Sequence, residues 1–426
     1  MEQVNKLLSG VEIPDMAQVR QNFSAPVLDD PCGTLKQQLD RPEIRNLVKP
    51  GMKIAVTAGS RGIAEYIPLL RCILDSLKEM GAEPFLIPAM GSHGGASAEG
   101  QKKLLAGYGI TEESVGVPIR ATMEVVAVDQ TDSGETVWVD RYAKEADGIV
   151  LFNRIKPHTG FRGDYESGLV KMAAIGLGKQ KGAETVHDGG PAVMANRVRE
   201  FGCRAIRAVN VLFGVGTVEN AYEKVRMVRA LTRDEIFTEE PEMLAVAKSG
   251  MPRIMFEHLD VLIVDQIGKN ISGPGMDPNI THTYLPGAAI PEELRAKRAT
   301  RVVIFDLTEE THGAAMGIGM SDITTKRLFE KMNLDTTYPN CLTGGVTVSA
   351  KIPMMFNSQK LAIQAAIKTL NGSDFEHLRI VRIKDTLHTE YIEISEALMQ
   401  EARENSDVEI VSEPAPLAFD EDGNLF

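Results

Sequence analysis

The chain has 426 residues, 43% hydrophobic and 25% charged, with a formal net charge of −13. That is globular composition, long enough for two or three domains, and the acidic sum argues against a nucleic-acid partner. The four cysteines, at 32, 72, 203 and 341, share no tight spacing, and no uncharged apolar run approaches the roughly 20 residues needed to cross a bilayer. A zinc or iron–sulfur motif, a disulfide framework, a signal peptide and a membrane span are therefore not expected, and a reducing cytoplasm is.

In chain order, residues 1–50 read as short helices and turns punctuated by Pro14, Pro26, Pro31, Pro42 and Pro50. Residues 53–57 read as a strand. Ile67, Leu70, Leu74 and Leu77 then share one helical face, which predicts an amphipathic helix over 63–80 closed by Gly81. A second strand over 83–88 completes a βαβ unit with a right-handed crossover. The turn after the first strand, Thr57-Ala-Gly-Ser-Arg-Gly-Ile-Ala64, resembles the glycine turn of short-chain dehydrogenases. An NAD-dependent oxidoreductase using Gly59 and Gly62 is thus one alternative. Against it, no acidic residue follows the second strand and no Tyr-x-x-x-Lys pair occurs in the chain. The loop after the second strand holds His93 between glycines and leads into a helix rich in Lys and Leu.

Strands near 122–129 and 135–139 precede an apolar run, Gly148-Ile-Val-Leu-Phe152, which reads as a buried strand. The segment from Asn153 to His187 follows, with Pro157-His158, glycines at 160, 163, 168, 176, 178 and 182, and Lys171 and His187. Strand ends of this kind hold ligands in open α/β sheets. The glycines, with Arg162, Lys179 and Lys181 nearby, make a plausible cradle for an anionic cofactor. Backbone around 176–182, opening a helix, could receive its phosphate, with Gly176 and Gly178 as contacts. A helix over 191–202, a strand over 208–213 and a charged, mostly helical stretch over 219–258 come next. A second set of strands (258–265, 301–306, 346–350, 379–384) alternates with helices (290–298, 322–333, 357–370, 392–404), which is α/β again. The expected organisation is two α/β domains with mainly parallel sheets flanked by helices and an active site in the interdomain cleft. Residues 1–250 form the cofactor-binding domain, 251–410 the second domain, and 411–426 a tail.

The order His158, Gly160-Phe161, Lys171 and His187 resembles the core of the lactate racemase family of nickel-pincer-dependent 2-hydroxy acid racemases and epimerases. The resemblance implies a pyridinium-3-thioamide-5-thiocarboxylic acid mononucleotide carrying nickel. Lys171 would join it covalently through a thioamide, and His187 would be the protein ligand to the metal. It further implies His93 and His158 as catalytic bases and Arg61 on the substrate carboxylate. Gln266 and Lys269, three apart, would hold the substrate from the second domain. Ala58, Gly94 and Gly168-Leu-Val stand where known members carry Asp, Arg and Gly-Gly-Arg, which marks a divergent member with a substrate other than lactate.

The chemistry suits these residues. The α-proton of a hydroxy carboxylate is very weakly acidic, so loss of hydride while a histidine takes the hydroxyl proton avoids a carbanion. The expected partners are a small 2-hydroxy acid and the proteins that make the cofactor, with no nucleic acid and no membrane; a homo-oligomer is left open. A further alternative is a non-catalytic carrier of nickel or the pincer nucleotide. His282 could line the cleft, and His258, His312, His377 and His388 read as structural or solvent-facing.

Overall fold

Branched apolar residues crowd Lys53–Ala58, Glu83–Pro88, Gly148–Arg154 and Val211–Glu219. In the computed structural model, which describes residues 2–426 apart from the Thr343 side chain, each is a strand buried along most of its length. They belong to a five-stranded sheet in the spatial order Glu83–Pro88, Lys53–Ala58, Gly148–Arg154, Val211–Glu219, Val225–Thr232. The first four strands are parallel and the last is antiparallel. Alternate side chains leave opposite faces. Ile149 and Leu151 pack with Leu169, Val198 and Ile236 on one side, and Val150 and Phe152 pack with Leu70, Ile73 and Leu105 on the other. Continuous apolar runs are what a parallel sheet covered on both faces requires. The helix Tyr66–Glu79 and the hairpin of Val125–Gln130 with Thr136–Asp140 lie close to where the sequence places them.

The other unit carries an eight-stranded sheet, in the order Met354–Phe356, Ile323–Thr325, Arg301–Leu307, Val261–Ile267, Ile380–Ile383, Tyr391–Ser395, Met16–Gln21, Val408–Ile410. It is parallel as far as Ile380–Ile383 and antiparallel beyond. The fold is therefore α/β with mainly parallel sheets flanked by helices.

The division of the chain differs from the sequence expectation. One unit is Ser24–Met251, and the other joins Met1–Phe23 to Pro252–Phe426. The cause is Met16–Gln21, which pairs with both Tyr391–Ser395 and Val408–Ile410 and buries Ala17 and Val19. Residues 411–426 are not a separate tail. Ala415 bridges Met16, and Phe419 and Leu425 pack on the same core as Leu8 and Ile363. Residues 347–350 are a 3-10 turn rather than a strand. The helix expected over 392–404 splits into the strand Tyr391–Ser395 and the short helix Met399–Glu404. There Tyr-Ile-Glu-Ile-Ser alternates with the period of a strand, which outweighs its helix-forming neighbours. Within 219–258, Val225–Thr232 is a strand, and a Thr232–Glu235 capping box starts the helix Arg233–Ser249.

Candidate active site at the carboxyl ends of the parallel strands

The chain leaves Lys53–Ala58 to form Glu83–Pro88 on one side and later adds Gly148–Arg154 on the other. That reversal is a topological switch point, where a crevice opens outside the strand ends. A cavity of about 140 Å³ lies there, lined by the residues that follow these strands and by the helical segment from Lys171 to Gly176. Arg61, His93, Arg154, Lys156 and Lys171 face it, and among the described residues no carboxylate lines it. Glu219 lies behind the wall. It pairs with Arg154 and accepts the backbone N–H of Ala64 at 2.7 Å, which fixes the loop that carries Arg61. Burial, with Arg154 adding to it, pulls the Arg61 guanidinium below its usual pKa. A site so arranged favours an anion, and a guanidinium suits a carboxylate.

Lys171 ends a short helical turn, Leu169–Lys171, which passes directly into a π-helical turn, Met172–Gly176, and then into the helix Lys179–His187. π turns are rare and concentrate at functional sites. Two contacts set this one. Thr57 donates its hydroxyl to Met172 Sδ at 2.8 Å, and a β-carbon at Gly176 would come within 2.6 Å of the Ala89 carbonyl oxygen. Only glycine lets the helix approach the end of Glu83–Pro88 so closely. Burial first, then Lys156 and Arg61, brings the Lys171 amine down to about 8.

The start of this segment rests on Glu240, buried on the helix Arg233–Ser249, whose Oε2 accepts the Val170 N–H at 3.0 Å. Burial raises its carboxyl pKa to about 8. An acid whose native pKa exceeds its unfolded value of about 4.3 holds its proton more tightly when folded. Its stabilisation is present at low pH and fades as pH rises from about 4.3 towards 8. Thermal melts between pH 5 and 8 should therefore show stability falling by several kcal/mol, on the order that such a shift implies. Glu240→Gln should flatten that slope; parallel curves for the two proteins would contradict this reading.

Three histidines surround the lysine. His93 sits in the loop after Glu83–Pro88, its Nδ1 donating to the Met90 carbonyl at 2.8 Å. Gln101 holds the same loop, its amide nitrogen reaching the carbonyls of Gly91 at 2.9 Å and His93 at 3.3 Å. His158 is held through its backbone N–H, which donates to Glu166 Oε2 at 2.7 Å; the buried Glu166 also pairs with Lys248 at 2.7 Å. The His158 ring stacks on Phe161 at 4.1 Å, and its Nδ1 accepts the Gly160 N–H at 3.0 Å. His187, in the last turn of its helix, has Nδ1 2.6 Å from the Ala183 carbonyl. Burial, then Lys171, His187 and other cations, push the His158 pKa well below its ordinary value. His187 has an open face, yet desolvation outweighs its backbone hydrogen bond, and Lys171 lowers its pKa further. Both rings are therefore held neutral near pH 7.

Residues 12–196 match the lactate racemase N-terminal domain. The match covers less than half of the chain. Its fold is similar to that of the lactate racemase apoprotein from Thermoanaerobacterium thermosaccharolyticum, with a TM-score of 0.54 at 14% identity over 86% of this chain and 99% of that one. A Thermotoga maritima protein is 17% identical over 66% of this chain and 71% of that one, at a TM-score of 0.48. No curated protein matches.

The residues matched to the lactate racemase N-terminal domain include Arg61, His93, His158, Lys171 and His187. The cavity brings Arg61, His93, Lys171 and Gly176 together. His158 and His187 do not line it, but both lie close enough to Lys171 for its charge to lower their pKa values. Gly178 does not line it either. A β-carbon there would meet Gly182 Cα at 2.9 Å, so its smallness serves the packing of its own helix. Gln266 and Lys269 belong to the other unit, where Gln266 donates to Asp385 at 3.1 Å and Lys269 to Asn340 at 2.8 Å.

Two basic residues of the expected anion cradle have other roles in this chain. Lys181 lies over the Trp138 ring at 3.5 Å. Lys179 is fully buried, 2.9 Å from Asp140, 3.2 Å from Gln101 Oε1 and bonded to the Pro88 carbonyl. Sequence reasoning gave no role to Arg154 or Lys156, although they end a strand beside the one that leads to Arg61. That shared position was the signal that could have found them. The dinucleotide alternative meets an obstacle, because the Gly59 N–H is donated to the Tyr66 hydroxyl at 2.8 Å instead of facing a pyrophosphate. Among the described residues no helix is long and apolar enough to cross a membrane.

Proposed function

We propose that this protein is a racemase or epimerase of a 2-hydroxy acid, working by reversible hydride transfer with a nickel-pincer nucleotide. The observation that carries the reading is Lys171, an amine with a pKa near 8 opening into a cationic cavity beside Arg61 and His93. The residues fit the cofactor. Lys171 is nucleophilic enough to be its point of attachment. At His187, Nδ1 is committed to the Ala183 carbonyl, which leaves the Nε2 lone pair for a metal. Among the described residues no group of three or more His, Cys, Asp or Glu could hold a metal, so nickel would need ligands brought by the nucleotide. When bound, the group supplies a reversible hydride acceptor.

The chain does the rest. Arg61 pairs with the substrate carboxylate and orients the α-carbon. His93, which lines the cavity, and His158, held neutral beside Lys171, are the two bases for the hydroxyl proton. The half-buried setting of Lys171 and His158 limits water near the reacting carbon. The four free cysteines suit a reducing cytoplasm, the location proposed here.

Protein made with those biosynthetic proteins is expected to invert at least one member of a panel of single-enantiomer 2-hydroxy acids, read by chiral chromatography. His93→Ala is expected to lower kcat/KM by about 100-fold or more, the usual weight of a general base. If protein with a proven adduct at Lys171 inverted none of them, the proposal would fail.

A further inference from the structure

The turn that carries Lys171 begins without a cap of its own. Leu169 and Val170 are its first helical residues, so their N–H groups find no carbonyl within it. The residue before them, Gly168, has no side chain to accept them, where serine, threonine, asparagine or aspartate would usually do so. Glu240 does it instead, from the separate helix Arg233–Ser249. Its Oε2 takes the Val170 N–H at 3.0 Å, and its carboxyl also bonds the Leu169 backbone. Gly168 and Glu240 fit one another, because a β-carbon at 168 would lie 2.1 Å from Glu240 Oε1. That oxygen is buried and has no hydrogen-bond partner among the described residues, so it is the place for the proton of the neutral acid, and Oε2 is left to accept. The same helix holds the segment at two further points. Tyr165 donates to the Phe237 carbonyl at 2.8 Å, and Lys248 pairs with Glu166 at 2.7 Å.

Resting on the reading of Lys171 as the point of attachment, we infer that Glu240 is a positioning residue: it supplies the cap that Gly168 cannot, and so keeps the Lys171 amine in its desolvated place at the cavity. Lys171 directly follows the capped pair, and its side chain lines the cavity. Leu169 and Val170 are fully buried, so without the carboxyl their N–H groups would be left unsatisfied away from water. The turn would relieve that cost by shifting towards solvent, and the amine would regain its hydration. Glu240 lies outside the residues matched to the lactate racemase N-terminal domain.

Cofactor-free protein is trace-labelled with acetic anhydride from about pH 6 to about pH 11, and the peptide containing Lys171 is read by mass spectrometry. The parent is expected to show a midpoint near 8. Glu240→Leu keeps bulk and loses the acceptor. It is expected to move the midpoint towards the ordinary lysine value of about 10.4 and to slow labelling at pH 7 by about tenfold or more. Gly168→Ala, which displaces the carboxyl, should do the same, and Glu240→Gln, which keeps an acceptor, should label as the parent does. Lys156, Arg61, His158 and His187, which interact with the Lys171 amine, and Tyr165 and Cys203, which interact with Glu240, are unchanged in all three. The fully buried Lys179 is the internal control and should stay protected throughout. A loss of thermal stability in Glu240→Leu and Gly168→Ala with Lys171 still at the parent's midpoint would overturn the inference, since a merely structural role predicts that. So would exposure of Lys171 and Lys179 together, which is loss of fold, or Glu240→Gln behaving as Glu240→Leu does. If the labelling came out as expected but parent protein made with the biosynthetic proteins carried no adduct, the attachment reading would fail and the positioning role would stand.

Discussion

Lys179→Met is expected to destabilise the Ser24–Met251 unit by about 3–5 kcal/mol, the cost of removing one partner from a buried ion pair. Lys179 and Asp140 both have side chains with no solvent exposure, at 2.9 Å. Lys179 also sits at φ 53°, a left-handed conformation that costs a residue with a side chain roughly 1–2 kcal/mol. The ammonium contacts offset that strain. Methionine would keep the volume and lose every one of them, leaving Asp140 buried without its cation. Adding Asp140→Asn removes the stranded charge and should recover much of the loss. Denaturant melts of the single and double variants measure this. A loss under about 1 kcal/mol for the single variant, the range of a surface pair, would contradict it. The loss should reach the site as well. Lys179 binds Gln101, and Gln101 holds the loop of His93, so hydrogen exchange over residues 89–97 should accelerate in Lys179→Met.

The second large effect falls on the cofactor. Lys171→Ala should abolish covalent retention of the nucleotide and all turnover, and Lys171→Arg should do the same. A guanidinium is never a neutral nucleophile. With a pKa near 8, about a tenth of the Lys171 amine is neutral at pH 7, against well under a thousandth for an ordinary lysine. His187→Ala should act differently, keeping the organic adduct on Lys171 while losing most of the nickel. Mass and metal analysis of the two variants separate tether from ligand. A Lys171→Ala protein that still inverted a hydroxy acid at the parent rate would refute the assignment.

The first sheet was legible because Gly148–Arg154 and its neighbours are buried on both faces and so read as unbroken apolar runs. Met16–Gln21 was not legible. Its alternation of Ala17 and Val19 with polar residues is short, and its partners lie some 370 to 390 positions away in the chain. Nor could spacing alone tell Lys179 from Lys171. Both stand in one glycine-rich segment, and only the fold sends one against Asp140 and the other into the cavity. Lys171, His158 and His187 were singled out through family resemblance. The Nδ1 of His93 meets the Met90 carbonyl and that of His158 the Gly160 N–H, and no spacing in the sequence encodes that.

The most direct test of the account is the intact mass and metal content of this protein produced together with the proteins that make the pincer nucleotide. The account predicts a mass increase that maps to the peptide containing Lys171, with stoichiometric nickel that His187→Ala largely removes. An unmodified Lys171 and no bound nickel, in a preparation where a known lactate racemase becomes loaded, would contradict it.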